Sequence, residues 1–328
     1  MKLFKRSRSL ATLFITSLVL SGATSGAFAQ SYPAKPVRII VPLAPGGGTD
    51  IIGRTIAQAL SESLGQSFFV ENRAGAGGNI GMEATAKAPS DGYTLLVASL
   101  GLAINPSLYR KAGFDPLKDF SLISLVTSGP FVLVVHPSIP ATSVKQLVAL
   151  VKSRPGDLNY ASAGSGSGPH LSAELFKSIT RVQMVHIPYK GGGPALIDVL
   201  SGQVSLMFPS MPAALPHIRA GKLRALAVTT ERRATAAPDI PTVSESGVPG
   251  YASDTWYGLL APARTPREIV LALNSGIVKS VQTPDMRERL TKLGLEPVGS
   301  SPEQFSAYLT AEMVKWAKVI SEAGIRAD

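Results

Sequence analysis

The chain has 328 residues, 45% of them apolar but only 6% aromatic, so its core rests mainly on Ala, Val, Leu and Ile. That suits α/β layers, whose buried strands are rich in branched aliphatics. It has no cysteine, which excludes disulfides, thiolate nucleophiles and cysteine-based zinc sites. The formal net charge is +10, yet Lys and Arg are dispersed, without a basic run or an aromatic-rich motif, which argues against a nucleic-acid partner.

The N-terminus reads as an export signal. Lys2, Lys5, Arg6 and Arg8 precede an apolar run from about Leu10 to Leu20, and Ala27-Phe28-Ala29 is an A-x-A cleavage pattern. The run is shorter than the ~20 residues a membrane span needs. The expectation is residues 1–29 as signal peptide, cleavage after Ala29 and a mature chain from Gln30. Its removal lowers the net charge to +6.

The mature chain alternates strands and helices. Val37 to Pro42 reads as a buried strand, Pro45 to Asp50 as a Gly-rich turn, and Ile51 to Leu64 as a helix with one apolar face. Phe68 to Val70 is a strand, Asn72 to Gly78 a second Gly-rich turn, Asn79 to Ala88 a helix and Thr94 to Ala98 a strand. Phe131 to Val135 is a strand and Ser143 to Lys152 a helix. The short strand Asn159 to Ala161 enters Gly164-Ser165-Gly166-Ser167-Gly168-Pro169-His170, and a helix follows to Ile179. The strand Val185 to Ile187 enters Pro188 to Pro194, ahead of the helix Ala195 to Leu200. Then come the strand Val204 to Phe208, a loop at Pro209 to Pro212, a strand Leu223 to Val228 and a Pro/Gly-rich connection Asp239 to Gly250. Trp256 to Ala261 is a strand. Pro266 to Val281, Asp285 to Leu293 and Pro302 to Ala323 are helices. The alternation predicts mainly parallel, helix-covered sheets.

Three turns stand out: 45–50, 164–170 and 190–194. Each follows a strand and precedes a helix, whose first N–H groups lack intrahelical partners and lie at the positive end of the helix dipole. Glycine lets the backbone approach a ligand closely, so a carboxylate can be held there without a salt bridge. A single such turn reads equally well as tight packing; three in one chain point to a composite site. Thr49, Ser165 and Ser167 add hydroxyls. His170 reads as a cap or a ligand contact, Trp256 as packing at an inter-lobe strand, and Trp316 as core.

The rivals fail on detail. Gly75 to Ile80 and Gly164 to Pro169 both lack the third glycine of a dinucleotide fingerprint, and no phosphate-loop motif occurs. The 164–168 run has Gly166 where a nucleophile elbow needs serine. His136, His170, His186 and His217 have no metal-ligand spacing.

Several runs together resemble a known family. They include Pro45-Gly46-Gly47 through Asp50, Val70-Glu71-Asn72-Arg73 with Gly75-Ala76-Gly77-Gly78, Asp91-Gly92-Tyr93-Thr94-Leu95, and Asn105-Pro106 with Leu108-Tyr109. Later come Tyr160-Ala161-Ser162, Pro188-Tyr189-Lys190-Gly191, Pro238 to Val243 and Trp256-Tyr257-Gly258-Leu259. The order is similar to that of the Bug, or tripartite tricarboxylate transporter, substrate-binding proteins over essentially the whole mature chain.

The resemblance implies a two-lobed, Venus-flytrap α/β fold, each lobe a mainly parallel sheet flanked by helices. Lobe 1 would hold residues 30–131 plus 256–328 and lobe 2 residues 132–255, with a hinge near Phe131 to Val135 and Trp256 to Ala261. It implies a periplasmic, non-enzymatic receptor for a small carboxylate (an amino acid, a di- or tricarboxylate or an aromatic acid), without metal or cofactor, in some members serving a two-component membrane transporter. The first anion-binding loop maps to Leu43, Ala44, Gly47, Gly48, Thr49 and Asp50. The opposing contacts map to Ser165, Gly166 and Ser167, with Tyr189, Lys190, Gly191, Pro209 and Ser210 nearby. Members commonly carry Phe and Pro at the positions of Leu43 and Ala44, and glycine at that of Arg264. No self-complementary apolar stripe is evident, so a monomer is expected. The alternatives are a receptor docking on a membrane sensor, or an exported hydrolase or isomerase on the same architecture.

Overall fold

The computed structural model describes residues 32–327. Residues 35–327 belong to one compact unit. The export signal and the cleavage point after Ala29 lie outside the described residues.

In chain order, β1 (Val37–Val41) leads into α1 (Gly48–Leu64), β2 (Phe68–Asn72), a 3-10 turn at Ala76–Gly78, α2 (Asn79–Ala86), β3 (Thr94–Ala98), α3 (Gly101–Leu108) and the long β4 (Phe120–Pro130). After Phe131 come β5 (Val132–Val135), α4 (Val144–Ser153), β6 (Asn159–Ser162), α5 (Gly168–Thr180), β7 (Val185–Pro188), α6 (Gly192–Leu200), β8 (Leu206–Met207), α7 (Met211–Arg219) and β9 (Arg224–Val228). The chain then returns through β10 (Asp254–Pro262), α8 (Arg267–Gln282), α9 (Pro284–Lys292), β11 (Glu296–Pro297) and α10 (Pro302–Ala323). Among the described residues, no helix is long and apolar enough to cross a membrane.

Local chemistry sets the helix limits. On α1, Ile52, Ile56, Ala59 and Leu60 form the buried stripe, and Gly65 ends the helix in the left-handed region at φ 69°. On α10, Ser301 and Gln304 form a reciprocal capping box and Pro302 occupies the first turn. Its face of Phe305, Leu309, Glu312, Trp316 and Ile320 is buried. Trp256 of β10 is fully buried edge-on to Phe305, with ring centroids 5.7 Å apart. Both the Trp256 and Trp316 indoles donate to one oxygen of Glu312, at 3.3 and 3.2 Å. Trp256 and Trp316 are therefore packing residues, as expected.

Two sheets form the two lobes. The first has the order β11-β4-β10-β3-β1-β2 and the second β7-β6-β8-β5-β9. The expectation of mainly parallel sheets needs correction: both are mixed. β1 is parallel to β2 and β3, but β10 is antiparallel to β3 and β4, as β11 is to β4. In the second sheet β6 is parallel to β7 and β8, whereas β5 is antiparallel to β8 and β9. The reason is connectivity. β4 carries the chain out of the first sheet and β10 brings it back beside the same path, so they run oppositely. The β10–β4 register shifts twice, at Tyr257/Gly258 and Leu259/Leu260, so each shift bends the ladder.

Four elements were absent from the sequence reading: α3, β4, α7 and the two-residue β11. α3 contains Pro106 and α7 contains Pro216 in their interiors, which argue locally against helix. β4 mixes Ser and Thr with its aliphatics, yet Ser124 and Thr127 are fully buried and bonded to backbone carbonyls of Ser300 and Glu296. Tertiary partners supply what the local pattern lacks.

Candidate ligand-binding site

Five strand-to-helix junctions meet at one cavity of about 50 Å³. The first lobe contributes the starts of α1 (Gly48, Thr49) and α3 (Gly101). The second contributes those of α5 (Gly168), α6 (Gly192) and α7 (Ser210). Each helix presents N–H groups without intrahelical partners and the positive end of its dipole. Among the described residues, no Lys, Arg or His lines the cavity, and the one charged lining residue is Asp50. Among the described residues no group of three His, Asp or Glu could hold a metal ion.

The Asp50 charge is already matched. Its Oδ2 accepts the Gly46 N–H and Arg54 Nε, both at 3.1 Å, and its Oδ1 accepts Arg54 Nη2 and Asn72 Nδ2, both at 3.0 Å. Burial raises the Asp50 pKa, but the bonds from Arg54, Gly46 and Asn72 outweigh it and hold the carboxyl below its usual range. Asn72 also donates to the Leu43 carbonyl at 2.9 Å. Asp50 thus closes the 46–50 loop from behind.

The caps of α1, α5 and α7 are Gly47, Ser167 and Ser210, and none makes a side-chain capping bond. Ser167 lines the cavity, and its buried hydroxyl has no hydrogen-bond partner in the protein. Ser210 is instead bonded to Tyr257, which burial keeps protonated by raising its pKa. Gly48 is an essential close approach: a Cβ there would lie 2.1 Å from Ser210 Oγ and 2.3 Å from the Tyr257 hydroxyl. Phe131, at the crossing from β4 to β5, also lines the cavity.

The other expected residues serve elsewhere. Leu43, Ala44, Gly47, Gly48, Thr49, Asp50, Ser167, Pro209 and Ser210 line the cavity; Ser165, Gly166, Tyr189, Lys190 and Gly191 do not. The Ser165 carbonyl accepts the Tyr109 hydroxyl of the first lobe at 2.6 Å. The Lys190 carbonyl accepts the Ala44 N–H at 3.0 Å. The Tyr189 hydroxyl donates to Asp198, and burial together with that carboxylate pushes its pKa up to about 12. His170 neither caps nor touches the cavity: its Nδ1 accepts the Gly166 N–H at 3.3 Å from beneath the turn.

The family model of the tripartite tricarboxylate transporter family receptor matches residues 52–325. The chain belongs to this family. It is 40% identical to Protein BugT of Bordetella pertussis over 311 residues, 94% of this chain and 95% of that one. Its structure is similar to that of R. palustris Rpa4515 with adipate, with a TM-score of 0.88 and 40% identity over 90% of this chain and 99% of that one. It is also similar to MatC from Rhodopseudomonas palustris with bound malate, at TM-score 0.84 and 34% identity over 88% of this chain and 100% of that one. The protein is a periplasmic solute-binding receptor for uptake of a small carboxylate through a transporter of this type, and not an enzyme.

Several residues lining the receptor's cavity escaped the sequence reading. Tyr257 and Thr255 come from β10, and Ser99 and Gly101 from the β3–α3 junction. Ser99 lies 3.4 Å from the Thr49 hydroxyl. Ser99-Leu100-Gly101 is a fourth strand-to-helix turn, and with α3 recognised it would have joined the other three. Nothing local marks Tyr257 or Phe131.

Proposed function

We propose that this receptor takes its acid by the carboxylate onto the converging starts of α1 and α5, with the Ser167 hydroxyl as a direct partner. The observation that carries this reading is the Ser167 hydroxyl: it is buried without a partner, belongs to a residue that lines a cavity shared by both lobes and leaves its own helix uncapped. A buried hydroxyl without a partner costs about 1–3 kcal/mol, which a ligand acceptor would remove. A site without cationic side chains binds anions through N–H groups and helix dipoles. Pro42, Leu43, Met82, Leu100, Leu102 and Phe131 add apolar wall, which favours an acid with a short aliphatic body. The adipate and malate of the two R. palustris structures support that class.

The remaining parts of the reading follow the same frame. Lobe 1 spans 30–131 plus 256–328 and lobe 2 spans 132–255, with the hinge at the β4–β5 and β10 crossings. Leu43, Ala44, Gly47, Gly48, Thr49, Asp50, Pro209 and Ser210 form the rest of the binding surface. The mature receptor begins after Ala29 and works as a monomer.

The test is calorimetric titration of the mature receptor with a panel of mono-, di- and tricarboxylates, repeated on Ser167→Ala. Binding of one acid class, weakened about tenfold in the variant without loss of melting temperature, supports the reading. Unchanged affinity in Ser167→Ala removes Ser167 from the site, and no binding of any acid removes the carboxylate reading.

A further inference from the structure

Resting on the reading of the chain as a receptor that opens and closes, we propose that Tyr109, seated with Asn105 on α3, is a latch. It grips the main chain of the Ser165-Gly166 turn and sets how long the lobes stay shut, without touching the ligand.

The contacts are inter-lobe and go to backbone. The Tyr109 hydroxyl donates to the Ser165 carbonyl at 2.6 Å. Neither Tyr109 nor Asn105, Ser165 or Gly166 lines the cavity. Burial raises the Tyr109 pKa, so the hydroxyl stays a donor across the neutral range. The receiving surface is shaped for a close approach. A Cβ on Gly77 would lie 2.0 Å from the Ser165 oxygen, and one on Gly166 would lie 2.2 Å from Asn105 Oδ1 and 3.0 Å from Tyr109 Cε2.

Asn105 is held for this role. Its Nδ2 donates to Asn79 Oδ1 at 2.7 Å and to the Gly77 carbonyl at 3.2 Å. Those bonds fix Oδ1 toward the Gly166 backbone, where it is buried without a partner. The second lobe braces its own side: His170 Nδ1 accepts the Gly166 N–H, and Ser162 Oγ accepts the Gly164 N–H at 3.1 Å. Two rigid supports therefore meet at one peptide. A hydrogen bond that exists only in the closed state shifts the open–closed balance by its own free energy.

The chain has no cysteine, so spin labels can be placed freely. Ile80→Cys on α2 and Ile197→Cys on α6 use exposed side chains, one on each lobe. Pulsed electron–electron double resonance is then recorded without added acid on this pair, with and without Tyr109→Phe. The expected result is a loss of the short-distance population, the closed-to-open ratio falling about three- to tenfold. Gly77→Ala, which presses on the Ser165 carbonyl, is the second variant and lengthens the distance too. With adipate as probe, Tyr109→Phe speeds dissociation by the same factor and leaves association unchanged. Distance distributions for both variants that superimpose on the parent overturn the latch. If no acid binds the parent but the distances still lengthen, the latch stands and the carboxylate reading fails instead.

Discussion

Asp50 and Arg54, one turn apart at the start of α1, form a two-pronged ion pair: Nε reaches Oδ2 at 3.1 Å and Nη2 reaches Oδ1 at 3.0 Å. The same carboxylate takes the Gly46 N–H, so one side chain ties the glycine loop to the helix that follows it. The loop's mobility is removed before any ligand arrives, which lowers the ordering cost of binding.

Asp50→Asn should therefore loosen the loop and lower stability by about 2 kcal/mol at neutral pH, since Asp50 is buried while Arg54 is half exposed. The sign with pH is fixed by the depressed carboxyl. Its contribution is full above the unfolded pKa near 3.8 and is lost as pH falls through the lower folded value. Urea denaturation from neutral pH down to about pH 3 checks this: the gap between parent and variant should narrow only at the acid end.

Gly48→Ala should abolish tight binding. The added methyl meets Ser210 of the second lobe at 2.1 Å and Tyr257 of its own lobe at 2.3 Å, so closure must stop short. The overpacking costs about 1–3 kcal/mol, a loss of about one to two powers of ten in affinity. Titration of the variant with an acid that binds the parent decides it, and an unchanged affinity would refute it.

His170 predicts an acid-sensitive lobe. It is buried and stacked on His186 with centroids 4.3 Å apart. Burial lowers its pKa to about 4, with Glu174 opposing and Lys177 adding to the shift. The neutral ring is the form that accepts the Gly166 N–H. Stability from this group is present above the unfolded pKa of 6.5 and drains away as pH falls toward the folded value. Between about pH 7 and about pH 5 that amounts to roughly 2 kcal/mol. His170→Asn, which keeps an acceptor but does not titrate, should lose that much less over the same interval in urea denaturation.

Arg264 has φ 65° in an exposed turn closed by the Thr265 N–H on the Pro262 carbonyl. A side chain in the left-handed region is strained, and glycine is not. Arg264→Gly should be stabilising or neutral, by up to about 1 kcal/mol, seen as a small rise in melting temperature without change in ligand affinity. A clear fall would mean that the Arg264 side chain makes a contact worth more than its backbone strain.

Much of the architecture was legible from particular residues. The apolar stripe of α1 and the glycine turns at 45–50, 164–170 and 190–194 all act within a few positions of themselves. They were read correctly because propensity and turn chemistry are local. The prolines of α3 and α7 and the serines of β4 misled for the same reason: their cost is local, while the packing that offsets it is not.

What the sequence determined by itself was most of the elements, the family and the loops that bear N–H groups. Which of those loops line the cavity and which only close it was decided by tertiary structure. Ser165 and Ser167 are two residues apart in one turn, yet the Ser165 carbonyl bonds Tyr109 and Ser167 lines the cavity. Both read alike in sequence, because nothing in a turn records what the other lobe places against it. The direction each group faces is set by the 80° φ of Gly166 between them and by α3 packed opposite, and both arise only when the two sheets are in place.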